Sequence, residues 1–161
     1  MDKIIGMGNA LVDVLATLND DHILTEMELP KGSMTLIDET KLLIINECFS
    51  EMETELATGG SAGNAIRGMA CLGAGTGFIG KVGNDFFGDQ LRAAIKEAGI
   101  DDIGLCTDEK IHTTLAMVHT YPDGDRDFSF YRNPGADMML NKTEISEDIL
   151  KETEMQISKK L

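Results

Sequence analysis

The chain has 161 residues, 42% of them hydrophobic, with a formal net charge of −14. That length suits one ordinary domain with a real core, and the apolar content excludes a disordered chain. The acidity argues against nucleic acid or an anionic membrane surface as a partner, and no apolar run approaches the roughly 20 residues that span a bilayer.

Residues 1–6 (MDKIIG) lack the charged and apolar regions of a signal peptide, so the expected location is the cytoplasm. Residues 3–8 (KIIGMG) read as a short buried strand entering a glycine turn. Residues 10–18 (ALVDVLATL) read as a second extended segment, apolar except for Asp13. A short helix is expected over 20–27, a turn at Pro30-Lys31-Gly32 and a strand over 33–37 (SMTLI). A helix over 39–49 follows, capped by Asp38.

Residues 53–57 are extended and lead into 58–64 (TGGSAGN), where a helix over 62–72 begins inside the glycine-rich loop and stops at Gly73. A strand over 75–82, an amphipathic helix over 85–98 ending at Gly99, and a strand over 100–106 come next. Strands over 113–121 and 126–132 flank Pro122-Asp123-Gly124-Asp125, a hairpin signal. The chain closes with a loop over 134–140 and a helix start over 146–152.

Strands alternating with helices argue for an α/β fold with a mainly parallel central sheet. The extended pieces at 11–18, 33–37 and 113–132 do not fit as crossover strands. They read as a separate small antiparallel layer, a β lid. Cys48, Cys71 and Cys106 form neither a disulfide framework nor a zinc site, and their apolar neighbours suggest buried free thiols. His22, His112 and His119 show no metal-ligand spacing and read as structural, so no metal site is expected.

Three segments could carry chemistry. In TGGSAGN, Gly59 and Gly60 allow close backbone approach to a ligand, Asn64 offers donors and acceptors, and the helix behind supplies free N–H groups. The same residues also suit a tight strand-to-helix turn. Asp13 is a lone carboxylate in an apolar run. It either faces solvent on an alternating strand or meets a ligand rich in donors, such as sugar hydroxyls. The early Gly6-Met7-Gly8 does not complete a dinucleotide fingerprint, because Leu11 stands where the third glycine belongs. The third segment, 77–88 (GFIGKVGNDFFG), reads mostly as a strand, a turn and a capped helix.

Together these segments resemble the N-terminal half of the ribokinase-like (PfkB) carbohydrate kinase family, in an adenosine-kinase-like member. The residues that carry the resemblance are Gly8, Asn9 and Asp13; Gly59, Gly60 and Asn64; and Gly80, Val82, Gly83, Asp85 and Gly88. The run 30–34 (PKGSM), the hairpin at 113–132 and the following Pro134-Gly135-Ala136-Asp137 belong to the same pattern, which covers about residues 1–150.

The resemblance implies a three-layer ribokinase-like fold, with 1–161 as the N-terminal portion of that domain. It implies ATP- and Mg²⁺-dependent phosphorylation of a primary hydroxyl on a sugar or nucleoside: adenosine, ribose or fructose, with a lean towards adenosine or a related ribosyl compound. Asp13 would hold sugar hydroxyls, with Asn9, Gly59, Gly60, Ser61 and Asn64 lining the same site. Arg126, or alternatively Arg132, would approach the phosphates; the bland reading of Arg126 is a solvated hairpin residue. A homodimer through the lid is also implied. The family's catalytic D-T-x-G-A-G-D segment is absent from these 161 residues, and 151–161 (KETEMQISKKL) falls outside the pattern. The C-terminal half is therefore expected to be missing and this chain inactive alone. A non-catalytic sugar- or nucleoside-binding module or a dimerisation fragment is the alternative.

Overall fold

The computed structural model describes residues 3–18, 22–151 and 153–158. In chain order the elements are β1 (Lys3–Met7), β2 (Leu11–Thr17), α1 (His22–Glu26), β3 (Met34–Ile37), α2 (Glu39–Ser50), β4 (Thr54–Gly59), α3 (Ser61–Cys71), β5 (Thr76–Gly83), α4 (Phe86–Glu97), β6 (Leu105–Asp108), β7 (Thr114–Thr120), β8 (Arg126–Tyr131), 3-10 turns at Ala136–Met139 and Lys142–Glu144, α5 (Glu147–Lys151) and β9 (Thr153–Ser158). They fall into two compact units, one of 1–11, 58–114 and 134–161, the other of 12–57 and 115–133.

The first unit holds a sheet of order β6-β5-β1-β9 in which every neighbouring pair is parallel, as the alternation of strands and helices predicts. β5 is buried along its whole length, the pattern of a central parallel strand covered on its faces. Helix α3 lies close on β1: a Cβ at Gly6 would sit 2.2 Å from Ile66 Cγ1, so glycine is what permits the approach. Helix α4 is capped by Asp85, whose Oδ1 accepts from the Gly88 N–H at 2.8 Å and from the Thr113 hydroxyl at 2.7 Å. Oδ2 accepts from the Thr113 N–H at 2.7 Å, so this cap also anchors the chain entering β7.

The expected strand over 100–106 is shorter and later. Asp101 makes only an isolated bridge to Gly77. Its Oδ1 then accepts from the Ile103 N–H, and the Leu105 N–H turns back to the Asp102 carbonyl. A local turn therefore outcompetes extension until Leu105. The sequence did not announce β9, a strand parallel to β1.

The second unit is built on a sheet of order β3-β8-β7-β2-β4. β2 alternates, burying Val12, Val14 and Ala16 and leaving Asp13 on the opposite face, half-buried. Leu42, Ile45 and Phe49 form the buried stripe of α2, and Asp38 caps it through the Lys41 N–H at 2.8 Å. The antiparallel expectation holds for the β7–β8 hairpin. β3, however, joins β8 in parallel, because it reaches β8 from a distant part of the chain instead of through a hairpin.

The cysteines correct the expectation of buried thiols: all three are free, but Cys71 is exposed and Cys48 and Cys106 are half-buried. α3 turns its buried stripe, Ala62 and Ile66, to the sheet, and Cys71 lies off that stripe. No described helix is long and apolar enough to cross a membrane.

Candidate functional site

Five of the sequence-predicted residues gather at the N-terminal end of α3 in the first unit. β4 ends at Gly59, which is buried, and Gly60 caps α3 with φ +94°. A Cβ at Gly60 would lie 2.4 Å from the Asn9 carbonyl oxygen. Both its positive φ and this close approach require glycine there. The Asn64 N–H donates to the Gly60 carbonyl at 2.9 Å, while the Ser61 and Asn64 side chains are exposed beside it.

Gly60 brings no side-chain acceptor, so the first-turn N–H groups of Ala62 and Gly63 have no cap side chain to satisfy them. The Asn9 side-chain oxygen is buried and has no hydrogen-bond partner among the described residues. An orphaned buried acceptor costs free energy unless something donates to it. This arrangement can therefore receive a hydroxyl from a small polar ligand.

Asp13 and Arg126 belong to the second unit. Asp13 makes no hydrogen bond or ion pair among the described residues. Burial pushes its carboxyl above the ordinary carboxylate value, and the Arg126 charge pulls partly back. Arg126 is exposed at the start of β8 and makes no ion pair among the described residues. It lines an open hollow of about 680 Å³ with Lys31, Tyr121, Asp125 and Asp127, where Lys31 stands 4.8 Å over the Tyr121 ring. Arg132 is half-buried and already engaged, which leaves Arg126 as the more accessible cation.

Sequence reasoning passed over one charged cluster. Lys81, in the middle of buried β5, has only 8% of its side chain exposed and bridges Asp108 at 3.0 Å and Glu144 at 2.8 Å. A lysine inside the apolar run of β5 was the available signal. No described group of His, Cys, Asp or Glu side chains could hold a metal ion.

The model of the pfkB family carbohydrate kinases matches residues 34–160. The chain belongs to that family. The matched span takes in most of 151–161, which the sequence pattern had left outside the family; of these, residues 153–158 form β9, parallel to β1.

Fructokinase-1 of Oryza sativa subsp. japonica is 43% identical over 95 residues, which are 59% of this chain and 29% of that protein. Probable fructokinase-5 of Arabidopsis thaliana is 40% identical over 99 residues, 62% of this chain and 31% of that protein. Among solved structures, the adenosine kinase from Sinorhizobium meliloti superposes with a TM-score of 0.77 at 28% identity, covering 98% of this chain and 46% of that one. The fructokinase from Xylella fastidiosa gives a TM-score of 0.72 at 26% identity, covering 97% and 40%. The fold is thus ribokinase-like, and this pfkB-family chain spans less than half the length of these relatives.

Proposed function

We propose that this chain is the substrate-binding portion of a sugar kinase that transfers a phosphoryl group to a primary hydroxyl. The observation that carries this reading is Asp13: half-buried, unpaired among the described residues and held above its ordinary pKa by burial. A carboxylate kept in that condition is poised to accept hydrogen bonds from ligand hydroxyls. In the first unit, Asn9 with its orphaned oxygen, Gly59, Gly60, Ser61 and Asn64 are a separate set of candidate sugar contacts. We take the unit of 12–57 and 115–133 as the lid.

Arg126, with Lys31 in the same hollow, is the candidate phosphate contact, since charge developing on a transferring phosphoryl needs a cation. ATP supplies the phosphoryl group when bound. A Xylella fastidiosa fructokinase structure with bound ATP lies among the relatives of this fold. Among the described residues no group of three or more His, Cys, Asp or Glu is gathered for Mg²⁺, which one or two carboxylates and the phosphates of ATP would hold. The family's D-T-x-G-A-G-D segment is not in these 161 residues, so the reading concerns binding; turnover needs that segment.

The sequence leaned towards adenosine or a related ribosyl compound. The identities of 38–43% to fructokinases favour a fructose-type acceptor instead. Exposed Met34 and Leu36 on edge strand β3, at 74% and 61%, support pairing of two lids into a homodimer.

Titration calorimetry of the folded chain with fructose, ribose and adenosine, beside Asp13→Ala, tests the reading. Binding of one of them that falls at least about tenfold in the variant is expected. Equal binding by the variant, or none by the folded chain, overturns it.

A further inference from the structure

His119, on β7, plays no part in the site above. It is wholly buried, at 0% exposure. Its Nε2 lies 3.4 Å from the Ser129 hydroxyl, long for a hydrogen bond, and its Nδ1 has no partner among the described residues. Phe49 of α2 meets the ring edge-on, with centroids 5.5 Å apart.

Across the hairpin His119 stands opposite Asp127. That carboxylate is itself committed: it accepts from the Ser33 N–H at 3.2 Å and from the Tyr121 hydroxyl at 2.5 Å. Asp127 opposes the effect of burial on the ring; the elements around it also carry Asp13 on β2, Arg126 on β8, and Glu47 and Cys48 on α2. β7 itself carries no other ionisable side chain.

A neutral imidazole needs one donor contact and one acceptor contact, and an unprotonated Nδ1 left without a partner is the milder of the two vacancies. A protonated ring is a different object. It puts a second N–H and a full charge against Phe49, with no acceptor at Nδ1. We propose that His119 is a proton-sensitive latch in the unit of 12–57 and 115–133. Neutral, it locks the β7–β8 hairpin to α2. Protonated, it leaves its pocket and releases that packing.

Burial holds the imidazole below its ordinary pKa, with Asp127 pulling partly back. The unfolded chain takes up the proton near pH 6.5 and the folded chain lower. The latch therefore contributes fully above about pH 6.5, and its contribution is lost as the pH falls from there through the folded value.

The test is urea unfolding of the full chain at about pH 7.5 and about pH 5, with an NMR titration of the histidine rings. His119 is expected to stay neutral below its ordinary value. The unfolding constant is expected to rise by up to about 30-fold between the two pH values, the ceiling for one ordinary histidine. The slope should survive in His22→Gln/His112→Gln and flatten in His119→Met. His119→Gln serves as a second variant, and if neither folds the ring titration of the unmodified chain decides. A His119 that titrates at or above the ordinary value, or an unchanged slope in a folded His119 variant, overturns the latch.

Discussion

Lys81 in one unit and Asp13 in the other are both charges withdrawn from water, and the protein treats them in opposite ways. Lys81 meets two carboxylates, Asp108 and Glu144, at 3.0 and 2.8 Å. The Glu144 hydrogen bond is the largest influence raising its pKa. Asp13 has no such neighbour; its carboxyl is raised by burial, and only the Arg126 charge opposes this. A buried charge compensated by the protein itself is architecture, since little remains for a ligand to satisfy. A charge left without partners costs stability and is retained where a ligand completes it. The same contrast separates the Asp85 carboxylate, filled by Gly88 and Thr113, from the orphaned oxygen of Asn9.

Substitutions can break this contrast. The largest loss is expected at Gly60→Ala, where a Cβ would meet the Asn9 backbone oxygen at 2.4 Å with φ at +94°. Backbone strain plus that clash should cost about 3 kcal/mol or more in urea unfolding and displace Asn9. Lys81→Met comes next. It leaves Glu144 without its main partner, whereas Asp108 keeps the N–H groups of Lys110 and Ile111, its larger stabilisers. With those carboxylates 27% and 17% exposed, about 2–3 kcal/mol is expected, below the cost of stripping a fully buried pair. A loss under about 0.5 kcal/mol would remove Lys81 from the architecture.

The smallest effect on stability, and of opposite sign, belongs to Asp13→Asn. Because the fold raises the Asp13 pKa, its ionised form is disfavoured in the folded state and costs stability above about pH 4, where the unfolded carboxyl ionises. The variant should be as stable as the parent at neutral pH or up to about 1 kcal/mol more so, after allowing for solvent screening. That gain should vanish below about pH 4. A clear destabilisation would mean that Asp13 holds the structure, and the contrast with Lys81 would collapse.

Much of the fold was legible because it is written in local chemistry. Asp38 and Asp85 cap the helices that they precede, and Pro122-Asp123-Gly124-Asp125 turns the β7–β8 hairpin. The candidate site was readable as a set of residue types, and its glycine half proved to be one loop against Asn9. The strand expected over 100–106 was misplaced because Asp101 prefers its own backbone turn. β9 was missed because a short polar strand such as TEMQIS earns its place by pairing with β1.

By itself the sequence determined most of the strands and helices as far as β8, the caps and turns, and the glycines at the head of α3, since each depends on residues a few positions apart. Tertiary structure alone decided which charges are satisfied. Glu144 reaches Lys81 from 63 residues along the chain, and the Asp13 carboxylate finds no partner among the described residues. Desolvation and pairing are properties of the packed interior, and a linear pattern does not contain them.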